Sequence, residues 1–223
     1  MSTLTCTILG VFVGGTKTLR DERGAWQSSI ARDAATGPVM LEMRGFVGDQ
    51  ATQPYHGSPE LAVCIHAQSH YDYWNEHLGM DLHPGAVGEN LTLDTWDDSI
   101  LCVGDLLQIG DARIQISAPR SPCENQARHI GRPDWVKLTL QALRTGSYAR
   151  VIEPGMVQTG DQVTLVERPN PGLTVREINA CFYHTFSPEL AARFIEAEGL
   201  MPWWKQRLRD KGAELAGDQT RSA

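Results

Sequence analysis

The sequence lacks most of the local signatures by which reactive sites can be read. Its five cysteines, Cys6, Cys64, Cys102, Cys123 and Cys181, are odd in number and widely spaced over 223 residues, with no Cys-x-x-Cys pair. That argues against a disulfide scaffold, a thioredoxin-type couple and a cysteine-rich zinc site, and it points to a reducing compartment. His-Glu-x-x-His, the Walker A loop, the dinucleotide glycine fingerprint and Gly-x-Ser-x-Gly are absent, so zincin, phosphate-loop and serine-hydrolase chemistry have no support. Flavin, haem and iron–sulfur motifs are missing too. No apolar run approaches membrane-spanning length. The stretch from Thr7 to Val13 has no basic region ahead of it and reads as a strand rather than a leader, so a soluble, cytoplasmic protein without membrane contact is expected. A net charge of −7 repels phosphate backbones, which sets nucleic acid aside as a partner.

With 41% hydrophobic residues the chain can bury a sizeable core. Short, often β-branched runs at Ile8–Val13, Ser28–Arg32, Val39–Met43 and Leu61–His66 read as strands bounded by turn residues. Leu106–Ile109 and Ala112–Ser117, joined by Gly110-Asp111, read as a hairpin, and Thr164–Val166 follows a second Gly-Asp entry. Ser69–Leu78 and Pro133–Leu143 read as helices. Pro169-Asn170-Pro171-Gly172 is the clearest boundary. Beyond it, Thr174 and Glu177 form a capping box, Ser187-Pro188-Glu189 starts a second helix, and Pro202–Leu215 a third. The expected fold is mixed α+β, mainly β: a barrel over residues 1–168 and a three-helix appendage over 173–223.

The most informative segment is Ala118-Pro119-Arg120-Ser121-Pro122-Cys123. Two prolines stiffen a loop between a strand and a helix, a suitable mount for one reactive atom. Arg120, three residues before the thiol, favours thiolate, a soft donor for a transition metal. Arg120 and Ser121 can also hold an anion. The plainer alternative is a cysteine used as a small core hydrophobe. Gly45-Phe46-Val47-Gly48-Asp49, followed by His56-Gly57, offers glycines for close approach and Asp49 and His56 as proton donors; a turn and a surface histidine would look the same. Gly88-Glu89-Asn90 offers an acceptor and an amide suited to a heterocycle edge. His66, His70 and His77 lack metal-ligand spacing. In the tail, Lys205, Arg207, Arg209 and Lys211 follow Trp203 and Trp204. They read either as a docking face or as a solvated helix face with the tryptophan pair packed inward.

Taken in order, Gly45-x-x-Gly48-Asp49, His56-Gly57, Val87-Gly88-Glu89-Asn90-Leu91, Val103-Gly104-Asp105 and Pro119-Arg120-Ser121-Pro122-Cys123 resemble the MOSC family, in its YiiM-like branch, and the similarity covers nearly the whole chain. The resemblance implies a MOSC β-barrel with a three-helix extension and a molybdenum cofactor (molybdopterin with bound molybdenum). It implies Cys123 as the metal ligand, with Asp49 and His56 as proton donors and Arg120, Ser121, Gly57, Glu89 and Asn90 as cofactor contacts. The implied activity is reduction of N-hydroxylated compounds such as hydroxylaminopurines, fed by an external flavoprotein- or ferredoxin-type donor, and a homodimer is compatible with it. Competing readings are a sulfur carrier with a Cys123 persulfide and a non-catalytic binding module. One departure stands out: the family's frequent Cys-x-Lys is Cys123-Glu124-Asn125 here, leaving Arg128 or His129 to replace the missing cation.

Overall fold

A computed structural model describes residues 5–50 and 57–221, with side chains to residue 217. The first strand, β1 (Thr5–Val13), carries Cys6, Ile8 and Val11 into the core. Two neighbours share it: its first half pairs with β13 (Gln162–Glu167), and its second half pairs with β8 (Leu91–Leu93). The register shifts between Ile8 and Gly10. A Cβ at Gly10 would lie 2.5 Å from the Phe12 ring, so a larger residue there would have to displace that ring.

The other barrel strands are β7 (Val63–Ala67), β9 (Leu106–Ile109), β10 (Ala112–Pro119) and β11 (Ser147–Glu153). Their order is β13-β9-β10-β11-β7-β8-β1, and the β1–β13 pairing closes the ring. All pairs are antiparallel except β7–β8, which is parallel. The parallel step requires a crossover, which α1 (Gln68–Leu78) provides. Every residue of β7 is buried, as expected for a strand covered on both faces. Two-stranded β2–β3 (Lys17–Asp21 and Gly24–Ser28) stands apart as a hairpin. The short β4 (Asp33–Ala34) pairs with β1. A small flap joins β5 (Val39–Glu42), β6 (Gly45–Phe46) and β12 (Gly155–Val157).

The barrel core is aliphatic, including Ile8, Leu41, Val63, Leu107, Ile114 and Val163. A second cluster packs α1 against α2 (Glu124–Ile130) and α3 (Trp135–Ala142) through Tyr71, Trp74, Ala127 and Trp135. A third joins α4 (Val175–Tyr183), α5 (Pro188–Glu196) and α6 (Pro202–Arg221) to the barrel residues Val103 and Ala118. The capping box is present: Thr174 Oγ1 accepts from Glu177 N at 3.1 Å, and Glu177 Oε2 accepts from Thr174 N at 3.0 Å.

Several expectations need correction. The strand read over Ser28–Arg32 ends at Ser28, where the hairpin finishes; the chain then turns to bring Arg32 toward Asp49. Leu61 belongs to a single 3-10 turn ahead of β7. Helix α2, which starts directly after Cys123, was not anticipated, nor was β11. The tryptophan pair splits: Trp204 is buried at 1% exposure, whereas Trp203 is 52% exposed.

Candidate active site

The stiff loop leaves β10 at Pro119 and enters α2 with Cys123 as its N-cap residue. The Arg120 amide donates to the Gly146 carbonyl at 2.9 Å, which ties the loop to the strand beside it. Gln126 Oε1 accepts from Cys123 N at 3.3 Å, while Gln126 Nε2 donates to the Val87 carbonyl at 3.2 Å. The cysteine backbone is thereby linked to the loop after α1. Cys123 is the one partly exposed cysteine of the five, and it opens onto a cavity of about 330 Å³. That volume lies in the range of small-ligand sites.

The residues read from sequence divide. Asp49, Gly57, Asn90, Arg120, Ser121 and Cys123 all line this cavity. His56 lies outside the described residues. Glu89 does not line it. Its buried Oε1 accepts from Tyr71 Oη at 2.5 Å, Thr92 Oγ1 at 2.6 Å and Gly85 N at 2.7 Å. Glu89 thus fixes the shape of its own loop from within, behind the cavity lining.

Asp49 is committed as well. Its carboxylate accepts from Arg32 Nε and Nη2 at 2.7 and 2.9 Å, from Gly14 N at 3.0 Å and from Asn90 Nδ2 at 3.0 Å. A carboxylate accepting from four donors acts as a clamp between the segments that carry them. Asn90 completes the link, since its Oδ1 accepts from Cys64 N at 3.0 Å.

Three arginines give the cavity its sign. Arg120 is buried, and Nη2 donates to the Val87 and Gly88 carbonyls at 2.7 and 3.1 Å. Its Nη1 is buried without a hydrogen-bond partner. Burial works against its charge, but the acidic groups around it, the Glu89 carboxylate among them, outweigh that and raise its pKa. Arg32 donates from Nη1 to the Gly88 carbonyl at 2.6 Å. Arg44, exposed at the rim, has no ion pair or hydrogen bond among the described residues. The Gly88 carbonyl accepts from both Arg32 and Arg120, and glycine suits the position, since its φ is +71° and a Cβ there would meet Ile30 Cγ1 at 2.4 Å.

Sequence reading missed Arg32, Arg44, Cys64 and Tyr148. Burial pushes the Cys64 thiol up to about 11 and raises the Tyr148 hydroxyl, so both keep their protons at neutral pH. Neither suggested substitute for the missing lysine serves. Arg128 is spent on Asp21, at 2.6 and 2.7 Å, and on the Trp26 ring at 3.9 Å. His129 is outside the cavity lining, and burial lowers its pKa. Asn125 lines the cavity at the departed position.

A protein-family model described as the MOSC domain matches residues 52–164. The uncharacterized protein YflK of Bacillus subtilis is 35% identical over 94% of this chain and 96% of its own length. YiiM of Escherichia coli is 34% identical over 82% of this chain and 84% of its own. A protein named reductase from Gibberella moniliformis is 29% identical over 90% of this chain, which corresponds to 35% of that protein. The crystal structure of YiiM from Geobacillus stearothermophilus superposes with a TM-score of 0.79 at 28% identity, covering 92% of this chain and 98% of that one. Fold, motif order and relatives agree: the chain belongs to the MOSC domain family.

Proposed function

We propose that this protein is a molybdenum-cofactor-dependent reductase of N-hydroxylated compounds, with Cys123 as the thiolate that meets the metal. The observation that carries this reading is a half-buried thiol on a proline-stiffened loop, opening onto a cavity that three arginines line. The donor set fits an anionic metal-bearing cofactor. Arg120 offers a buried, unpartnered Nη1, and Arg44 is free of partners among the described residues. A thiolate is a soft ligand suited to a transition metal. Among the described residues no group of three or more His, Cys, Asp or Glu side chains is placed to hold an ion, which suits a metal whose other donors belong to the cofactor.

When bound, the cofactor supplies the two-electron redox centre. Arg120, Arg44 and Ser121 bind and orient the cofactor's phosphate. Arg32, held by Asp49, keeps the Gly88 carbonyl and the cavity wall in place. Tyr148 holds a proton at its hydroxyl beside Arg120 and lines the same cavity as Cys123. Among the described residues it is placed to donate a hydrogen bond to an N–OH oxygen, beside the proton-donor roles read onto Asp49 and His56. Conversion of N–OH to N–H and water consumes two electrons and two protons. The electrons come from a separate flavoprotein- or ferredoxin-type partner.

The test is reduction of a hydroxylaminopurine by the holo-protein with an artificial electron donor, alongside metal analysis. Turnover and about one molybdenum per chain are expected, both lost in Cys123→Ala. Equal turnover by wild type and Cys123→Ala would refute the assignment. A cyanide-labile sulfur on Cys123 with little metal would move the protein to the sulfur carriers.

A further inference from the structure

A second cavity, of about 520 Å³, lies against the first. Leu61, Ser121, Cys123 and Tyr148 line both, so the reactive thiol stands in a shared wall. The two sides differ in chemistry. The first carries Arg32, Arg44 and Arg120; the second has no charged lining residue among the described residues and is walled by Pro119, Pro122, Met201, Trp203 and Trp204. It therefore sits on the seam between the barrel and the C-terminal helices.

The seam is built to hold its shape. Met201 N donates to the Ser117 carbonyl at 2.9 Å. Arg150 Nη2 donates to the Gly199 carbonyl at 2.7 Å and pairs with Glu60, whose own carbonyl accepts from Ser117 Oγ at 2.5 Å. These bonds fasten the turn before α6 to the end of β10, next to the stiff loop. Packing accounts for only part of Trp203, whose ring meets Trp204 edge-on and Arg207. Its neighbour Trp204 fills the helical core, while the Trp203 ring stays half exposed in the groove lining, with Arg207 at 4.5 Å from its centroid. A large indole left in water beside a reactive thiol is a stacking surface in want of a ring.

We propose that this groove is the subsite for the substrate's ring: a planar, uncharged aromatic or heteroaromatic group rests against Trp203 and Met201, with its N–OH end at the wall shared by Cys123 and Tyr148. The inference rests on the reductase reading, and it makes the C-terminal helices a determinant of specificity. Volume favours a small molecule. The uncharged, largely apolar character of the described lining favours a neutral ring over a phosphorylated nucleotide.

The test uses adenine, which has the ring and no N–OH group, as the probe. Its binding to the holo-protein is followed by calorimetry and by quenching of tryptophan fluorescence. Saturable binding is expected, weakened about tenfold or more in Trp203→Ala and largely restored in Trp203→Phe. Molybdenum content should stay at the wild-type level in both variants. For a hydroxylaminopurine, Trp203→Ala should raise KM more than it lowers kcat. Met201→Trp, which fills the groove, should block adenine as well. Undiminished adenine affinity in both Trp203→Ala and Met201→Trp, or no binding to wild type, overturns the subsite. Loss of the reductase reading shows itself separately, as turnover that survives Cys123→Ala or as absent molybdenum.

Discussion

Arg32 and Asp49 meet edge to edge, Nε to Oδ1 at 2.7 Å and Nη2 to Oδ2 at 2.9 Å, with side chains only 14% and 12% exposed. The pair joins the segment after the β2–β3 hairpin to the loop after β6. Removing one partner strands a shielded charge, which costs about 3 kcal/mol or more. Asp49→Ala is therefore expected to lower the urea midpoint strongly, and Arg32→Ala/Asp49→Ala to cost less than the sum of the singles. Additive losses would mean that the pair is not a unit.

Gly88 is a second fixed point. Alanine there would combine φ +71° with a 2.4 Å approach to Ile30 and a 2.8 Å approach to its carbonyl. A loss of about 2–4 kcal/mol is expected in denaturant unfolding. A neutral outcome would show that the loop relaxes freely.

Arg44 should behave in the opposite way. It is exposed and unpaired among the described residues, so Arg44→Ala should change stability by less than about 0.5 kcal/mol. It should nevertheless reduce the molybdenum retained on purification. Normal retention would remove Arg44 from the anion-binding set.

The cysteines give a chemical test. Burial pushes Cys64 up to about 11 and Cys6 up to about 12, and it raises Cys102. Their thiols stay protonated and shielded at pH 8. Brief iodoacetamide treatment of native protein should give one adduct by mass spectrometry, at Cys123, and none in Cys123→Ala. First modification at Cys64 would contradict the geometry.

His66 and His70 are buried with their rings 4.6 Å apart, and burial lowers both pKa values, that of His66 well below its ordinary 6.5. The unfolded chain then binds protons that the folded chain refuses. Stability should fall as pH drops from about 7 toward 5, by up to about 1.4 kcal/mol per pH unit for each histidine. Asp98, whose carboxyl is raised by burial, acts with the opposite sign at lower pH. His66→Asn should flatten the slope; an unchanged slope would assign it elsewhere.

Local punctuation carried much of the fold. The Gly110-Asp111 turn, the Thr174–Glu177 box and the Ser187-Pro188 start each act within four residues, and each stands where sequence placed it. Helix α2 escaped because it is short and begins on a cysteine, a residue that gives no capping signal. The cavity was legible only where its residues are clustered in sequence. Arg32, Cys64 and Tyr148 arrive from separate stretches of chain, and only strand pairing such as Tyr148 against Cys64 brings them together. Glu89 could not be placed from sequence for a physical reason: an acceptor beside glycine suits a ligand and a loop's internal post equally well, and the structure buries it as the post.

The sharing of β1 between two partners has a consequence for biosynthesis. Thr5 lies opposite Thr164, so β1 waits for a strand that follows it by most of the barrel sequence. Until residues 162–164 emerge, the half-made sheet carries two unsatisfied edges. Such long-range closure is slow, and a sheet left open in the meantime exposes edges that invite self-association.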